Sequence, residues 1–241
     1  MKRILTILAA TLLLTAAMAG TASASSYDSV AEELSAIGVF RGTAGGFELD
    51  RAPTRSEAAI MLVRLYGAED EAKAAYEAGE ISMPFTDVSA GQWFYDAVSF
   101  VYWRDLMDGV TSTQFAPDAT TTRAMVVQIL YRMAGSPTVR GSSPFYDVSN
   151  GAWYADAVIW AEANDIVNGM TTTTFAPNTA VTREQLATML YRYAQYRHYN
   201  TSAGANTNIL SYYDANRISE YAFSALQWAC GEGIMDGTGT G

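Results

Sequence analysis

One cysteine, Cys230, and one histidine, His198, occur in the 241 residues of this chain. No intrachain disulfide, Cys–His nucleophile pair or chelating His/Cys cluster can be built from them, so counting removes most metal and nucleophile chemistry. Lysine is nearly missing too: Lys2 and Lys73 are the only two, and the other thirteen of the 15 cations are Arg. Arg presents a planar fork that grips carboxylates and phosphates, although a GC-rich genome would favour Arg equally well. Cations as a class are scarce, 15 against 25 Asp and Glu, for a formal charge of −10. That balance argues against general binding to nucleic acid or to an anionic membrane surface, and any anionic partner must be held by local Arg. What is abundant is apolar: 49% hydrophobic and 12% aromatic residues, enough for a packed core and too much for a disordered chain.

Long apolar runs are confined to the start. Lys2 and Arg3 precede a run from Ile4 to about Ala19, and Ala22-Ser23-Ala24 supplies the small-x-small pattern of signal-peptidase cleavage. Residues 1–24 are expected to be a signal peptide, and the mature chain to be secreted, with no membrane association after cleavage. Loss of Lys2 and Arg3 leaves 13 cations against 25 acids, a net −12. No Cys lies at the cleavage point to carry a lipid, so retention at the cell wall or cell surface requires another attachment.

A repeat organises the remainder. A shift of 60 residues places Phe85-Thr-Asp87-Val88 on Phe145-Tyr-Asp147-Val148, Trp93 on Trp153, and Asp96-Ala97-Val98 on Asp156-Ala157-Val158. Further on, Gly109 falls on Gly169, Phe115-Ala-Pro117 on Phe175-Ala-Pro177, Thr122-Arg123 on Thr182-Arg183, and Leu130-Tyr131-Arg132 on Leu190-Tyr191-Arg192. Weaker copies flank this pair. Gly42, Phe47, Thr54-Arg55 and Arg64 define one, and Tyr212-Tyr213-Asp214 through Trp228, Ala229 and Gly237 begin another. The chain stops halfway through that last copy, which reads as a truncation. The expected boundaries are 27–66 for the first repeat, 67–84 for a Glu/Ala-rich connector, 85–134 and 145–194 for the second and third repeats, 195–211 for a linker, and 212–241 for a partial fourth.

Each unit reads as helix, loop, helix, an all-α pattern. Ala58/Met61/Leu62/Leu65, Val126/Ile129/Leu130/Met133 and Leu186/Met189/Leu190/Tyr193 put one apolar stripe on each second helix. Trp93/Ala97/Phe100 and Trp153/Ala157/Trp160 are expected on the first helices, which should end at Gly42, Gly109 or Gly169 as left-handed caps. Phe115-Ala-Pro117 and Phe175-Ala-Pro177 then supply an apolar anchor and a rigid turn. Each second helix opens on a Thr-Arg step: Thr54-Arg55-Ser56-Glu57, Thr122-Arg123-Ala124-Met125 and Thr182-Arg183-Glu184-Gln185. Thr as N-cap with Glu57 or Gln185 at N3 is a capping box. Arg is not explained by capping, because a cation in the first turn opposes the helix dipole. Two readings of Arg55, Arg123 and Arg183 stand: ion pairing with Asp87, Asp96, Asp147 or Asp156, or contact with an external anion. Arg64, Arg132 and Arg192 fall at the helix C-termini, where the dipole alone accounts for them.

The series Phe-x-Asp-Val, Trp-Tyr-x-Asp-Ala-Val, Gly, Phe-x-Pro, Thr-Arg-Glu-Gln and Leu-Tyr-Arg resembles the S-layer homology (SLH) domain across nearly all of the mature chain. The resemblance implies tandem helix-loop-helix repeats packed about a pseudo-threefold central helical bundle, with grooves between units. It also implies a non-catalytic module that anchors a protein to the bacterial cell wall by holding an anionic secondary cell-wall polymer of Gram-positive type, often pyruvylated. By that resemblance Arg55, Arg123 and Arg183 are the ligand-binding residues, with Trp93 and Trp153 as sugar-facing aromatics; core burial is the other reading of both Trp. Met125 departs from the acid or amide expected there, repeat one lacks the Phe-x-Asp-Val and Trp-Tyr-x-Asp steps, and Leu49 stands where later units have Pro. No cofactor, metal site or catalytic residue is expected, since no twelve-residue calcium-loop spacing occurs and Asp87/Asp96 or Asp147/Asp156 match a glycosidase pair by type only. The alternative is a structural surface-layer protein whose repeats assemble with other surface-layer proteins.

Overall fold

The computed structural model describes residues 48–79, 82–202, 207–212 and 214–236. The expected signal peptide, the opening of the first repeat with Gly42 and Phe47, and Gly237 lie outside the described residues. Regular structure among the described residues is helical: α1 (Arg55–Tyr66), α2 (Glu69–Glu77), α3 (Tyr95–Trp103), α4 (Arg123–Met133), α5 (Ala155–Ala163), α6 (Arg183–Tyr196) and α7 (Phe223–Gly231). Extended pairing among them is limited to two isolated antiparallel bridges, Thr54 to Thr120 and Thr122 to Ala180.

The capping chemistry expected of the Thr-Arg steps sets where α1, α4 and α6 begin. Thr54 accepts from the Glu57 amide while Glu57 reaches back to the Thr54 amide, and Thr182 and Gln185 do the same. Thr122 accepts from the Met125 amide, but Met125 has no acceptor to return, so that box is half made. Apart from Ala58, which is buried outside it, the three apolar stripes lie in one continuous buried cluster with Phe100, Phe115, Trp160 and Phe175. A fully buried side chain of this size contributes about 2 kcal/mol, so each stripe outweighs the cap that starts it.

Pairing of helices runs between units: α1 packs on α3, α4 on α5, and α6 on α7. Three equivalent backbone hydrogen bonds link the starts of the second helices in a cycle. The Arg55 amide donates to the Ala119 carbonyl at 2.8 Å, Arg123 to Thr179 at 3.0 Å, and Arg183 to Arg51 at 3.0 Å. The last of these returns to the first helix, which gives the arrangement its pseudo-threefold character.

Two sequence expectations need correction. Gly109 and Gly169 do not cap the first helices: α3 and α5 end earlier, and Asp105 and Asp165 take the left-handed conformation with φ of 55° and 57°. These glycines are instead required by close approach, because a Cβ would lie 2.4 Å from the Thr111 carbonyl at Gly109 and 2.2 Å from the Thr171 carbonyl at Gly169. Trp93 and Trp153 precede α3 and α5 and are exposed, 68% and 62%, so core burial is excluded for both. The Glu/Ala-rich connector forms a separate helix, α2, after the left-handed Gly67 ends α1.

The loops are held by buried-facing carboxylates. Asp87 accepts from the Phe115 and Ala116 amides at 2.9 and 2.7 Å, and Asp147 accepts from Phe175 and Ala176 at 2.8 and 2.7 Å. Burial works against the Asp87 carboxylate, but those two amide bonds hold it below its ordinary pKa. At the third position Asp214, from the far end of the chain, accepts from the Glu48 amide at 3.0 Å. Glu48 shares the positive φ of its counterparts, 48° against 58° at Ala116 and Ala176.

Candidate functional site

Arg55, Arg123 and Arg183 are among the most buried charged residues described, 5%, 4% and 3% exposed. Arg55 leaves the first turn of α1 and reaches the preceding loop of the next unit. Its Nε donates to the Phe115 carbonyl at 2.8 Å and its Nη2 to the Asp108 carbonyl at 2.6 Å, with the guanidinium 4.5 Å above the Phe115 ring. Arg123 repeats this one unit on: Nε to Phe175 O at 2.9 Å, Nη2 to Asn168 O at 2.7 Å, 4.6 Å above Phe175. Arg183 donates Nη2 to the Asp236 carbonyl at 2.7 Å. Burial lowers the pKa of all three, yet a guanidinium stays charged at any physiological pH.

The cation that opposes the helix dipole is therefore used as a clamp between units. Its partners are carbonyl oxygens, and the expected ion pairs with Asp87, Asp96, Asp147 or Asp156 are not what holds it. Asp87 and Asp147 serve loop amides instead, and Asp96 and Asp156 sit exposed in the first turns of α3 and α5.

Beside two of these clamps lie equivalent grooves. The first, about 380 Å³, is lined by Arg55, Asp108, Met125, Gln128, Arg132 and Trp153 among others. The second, about 280 Å³, has Arg123, Asn168, Gln185, Thr188, Arg192 and Tyr221 in the same places. Each thus takes its floor from one unit, its walls from the next and its aromatic rim from the one after. Of the sequence-predicted residues, Arg55 and Trp153 meet in the first groove and Arg123 lies in the second, while Arg183 and Trp93 line neither.

Arg132 and Arg192, given no role from the sequence, face these grooves. Arg132 bonds Asp108 through Nη2 at 2.7 Å, and Arg192 donates to the Asn168 amide oxygen at 3.3 Å in the orientation that satisfies both neighbours of that amide. At the third position Arg64 meets Asp236 at 3.4 Å. Tyr221 was also missed. Aligning Trp228 with Trp160 carries Tyr221 onto Trp153, a register that the sequence contained. Its hydroxyl donates to Glu184 at 2.8 Å, and burial followed by that bond pushes its pKa up to about 12. Among the described residues no group of three His, Cys, Asp or Glu is placed to hold a metal, and no helix is long and apolar enough to cross a membrane.

The S-layer homology domain profile matches residues 84–124 and 144–187. An endoglucanase from Bacillus sp. (strain KSM-635) is 31% identical over 160 residues, covering 66% of this chain and 17% of that protein. The surface-layer 125 kDa protein of Lysinibacillus sphaericus is 29% identical over 163 residues, 64% of this chain and 13% of its own length. The middle cell wall protein of Brevibacillus brevis is 29% identical over 161 residues, 66% and 14% respectively. The chain therefore spans less than a fifth of each of these relatives. Two profile matches, both within the ring of helices, and relatives of this kind make the chain an S-layer homology domain protein.

Proposed function

We propose that this protein is an exported, non-catalytic module that anchors to the bacterial cell wall by binding an anionic secondary cell-wall polysaccharide in its inter-unit grooves. The observation that carries this reading is the pair of equivalent grooves, each with a buried Arg at its base, a second Arg on its wall and an exposed aromatic at its rim. Arg55 and Arg123 fix the groove and present positive potential. Arg132 and Arg192 contact the anionic substituent, and Trp153 and Tyr221 offer a ring face to a sugar. Arg183 and Trp93 are assigned the same two roles at the third position of the ring, as the counterparts there of Arg55 and Trp153. A polymer binder of net −12 charge must work through such local Arg contacts.

The relatives support attachment over catalysis. A segment under a fifth of its length is what this chain shares with an endoglucanase, and the same segment is shared with proteins named for the surface layer and the cell wall. A segment common to proteins of such different names supports a role in attachment that they could share, and not the chemistry of the enzyme. Sedimentation with Gram-positive wall sacculi, before and after hydrofluoric acid extraction of their secondary polymer, tests the proposal. Binding should be lost on extraction and should weaken as salt rises. Equal binding to extracted sacculi would overturn it, and absence of binding with self-association would favour a structural lattice protein.

A further inference from the structure

The half-made capping box of α4 stands beside an accessible sulfur. Met61, Met107, Met133, Met189 and Met235 are buried, each 7% exposed or less. Met125 is half-buried, and its side chain lines the open first groove.

Met125 is the third residue of α4, the position at which α1 has Glu57 and α6 has Gln185. In those two helices a side-chain oxygen accepts from the N-cap amide: Glu57 Oε2 from Thr54 at 2.8 Å, and Gln185 Oε1 from Thr182 at 3.4 Å. Thr122 makes its own half of the box, its hydroxyl accepting from the Met125 amide at 3.3 Å. A thioether sulfur is too weak an acceptor to make the other half. The first turn of α4 also lacks an acid to meet the positive end of the helix dipole. The same sulfur lies 3.7 Å from Arg55 Nη1, the guanidinium nitrogen that the Phe115 and Asp108 carbonyls leave to the groove. Donors therefore surround a side chain with almost nothing to accept them.

We propose that Met125 is a modification site, oxidised by hydrogen peroxide to the sulfoxide, and that the new oxygen completes the α4 capping box by accepting from the Thr122 amide. A sulfur lone pair takes one peroxide oxygen and the O–O bond breaks. The hydroxide that leaves collects the proton of the transferred oxygen as water, so the sulfur loses two electrons and the peroxide gains them. The product is close in shape to glutamine, with S=O where glutamine has Cδ=Oε1 and a methyl group where it has the amide nitrogen. Sulfoxide usually loosens a fold by putting a polar group among apolar ones. Here its partly negative oxygen is placed at a helix N-terminus and beside a guanidinium, where both fields favour it. Oxidation would also turn the Met125 wall of the first groove into the likeness of the Gln185 wall of the second.

Peroxide treatment with peptide mapping and thermal melts tests this, using Met125→Leu, which cannot take the oxygen, and Met125→Gln, which carries one permanently. At a dose that leaves the five buried methionines reduced, Met125 should gain one oxygen at a rate about tenfold or more above theirs. Met170, half exposed, oxidises in the parent and in Met125→Leu alike, so its effect cancels. The change in Tm on oxidation should be about 2 °C more favourable in the parent than in Met125→Leu, and Met125→Gln should exceed the untreated parent by a similar amount. Treatment with methionine sulfoxide reductases should remove the parent's gain. The proposal is overturned if Met125 stays reduced while Met170 is fully oxidised, or if oxidation shifts the Tm of the parent no more favourably than that of Met125→Leu.

Discussion

The two grooves are copies in skeleton and differ in their walls. Both have an Arg clamped on two carbonyls over a Phe ring, a Gly with a carbonyl where its Cβ would be, and a Thr cap at the start of the wall helix. The first then carries Asp108, Met125 and Trp153 where the second carries Asn168, Gln185 and Tyr221. Asp108 sits on Arg132 and neutralises it, and the Met125 sulfur lies 3.7 Å from Arg55 Nη1. No acid lines the second groove, Glu184 being held behind Tyr221. Residues that join one unit to the next are thus fixed by geometry, and residues that face the open groove vary. The first groove offers a larger aromatic and less positive charge; the second offers the reverse.

The skeleton makes the largest prediction. Gly169→Ala forces a Cβ to within 2.2 Å of the Thr171 carbonyl and 2.6 Å of that of Thr174, and Gly109→Ala to 2.4 and 2.7 Å of the matching oxygens. Backbone cannot step aside as a side-chain tip can, so each substitution should cost about 3 kcal/mol or more. Thermal melts of both variants should fall by similar amounts. A large drop for one and none for the other would break the equivalence of the grooves.

Removing a clamp should cost nearly as much. Arg123→Ala leaves the Phe175 and Asn168 carbonyls without their donor and strips the Phe175 face, an expected loss of about 3 kcal/mol, and Arg55→Ala should match it. Lys cannot restore it, because a point charge cannot reach two carbonyls in the fork geometry. Chemical denaturation of Arg123→Ala and Arg123→Lys checks both statements. A stability within about 0.5 kcal/mol of the parent would mean that the Arg is spare and held for ligand alone.

Much of this was legible in the sequence. Repeat spacing, all-α character, apolar stripes and both complete capping boxes could be read because each rests on periodicity or on contacts three residues apart. The Arg clamps were detected as an anomaly, a cation at the wrong end of a helix, but their partners are carbonyls, which every residue has and no sequence pattern marks. Arg132 and Arg192 were passed over because the helix dipole already accounted for them. For Trp93 and Trp153 exposure and core burial stood as two readings, because helical periodicity was extended two residues past the true start of α3 and α5. Gly109 and Gly169 were assigned a left-handed cap when the constraint was a neighbouring carbonyl, which lies close only once the loop has closed. Assembly of the third position from α1 and residues 214–236 could not be read, since it rests on contacts between segments far apart in the sequence, such as Glu48 with Asp214 and Arg64 with Asp236.

The smallest effect should separate the grooves most cleanly, because it touches neither skeleton nor core. Asn168→Asp would place a carboxylate on Arg192 as Asp108 sits on Arg132, and Asp108→Asn would make the reverse change. Asp108 is exposed and pairs across a partly open groove, so neither exchange should move stability by more than about 0.5 kcal/mol. For an anionic ligand on the arginine, one added or removed charge a few ångströms away is worth about 1 kcal/mol, roughly fivefold in affinity. Asn168→Asp should therefore weaken sedimentation with wall sacculi and Asp108→Asn should strengthen it. Raising salt should shrink both differences together, since the charges lie in open grooves and are screened. If both substitutions change binding in the same direction, or if the difference persists at high salt, the contrast between grooves is one of shape and not of charge. The aromatic rim, Trp153 against Tyr221, would then be the side of the comparison to pursue.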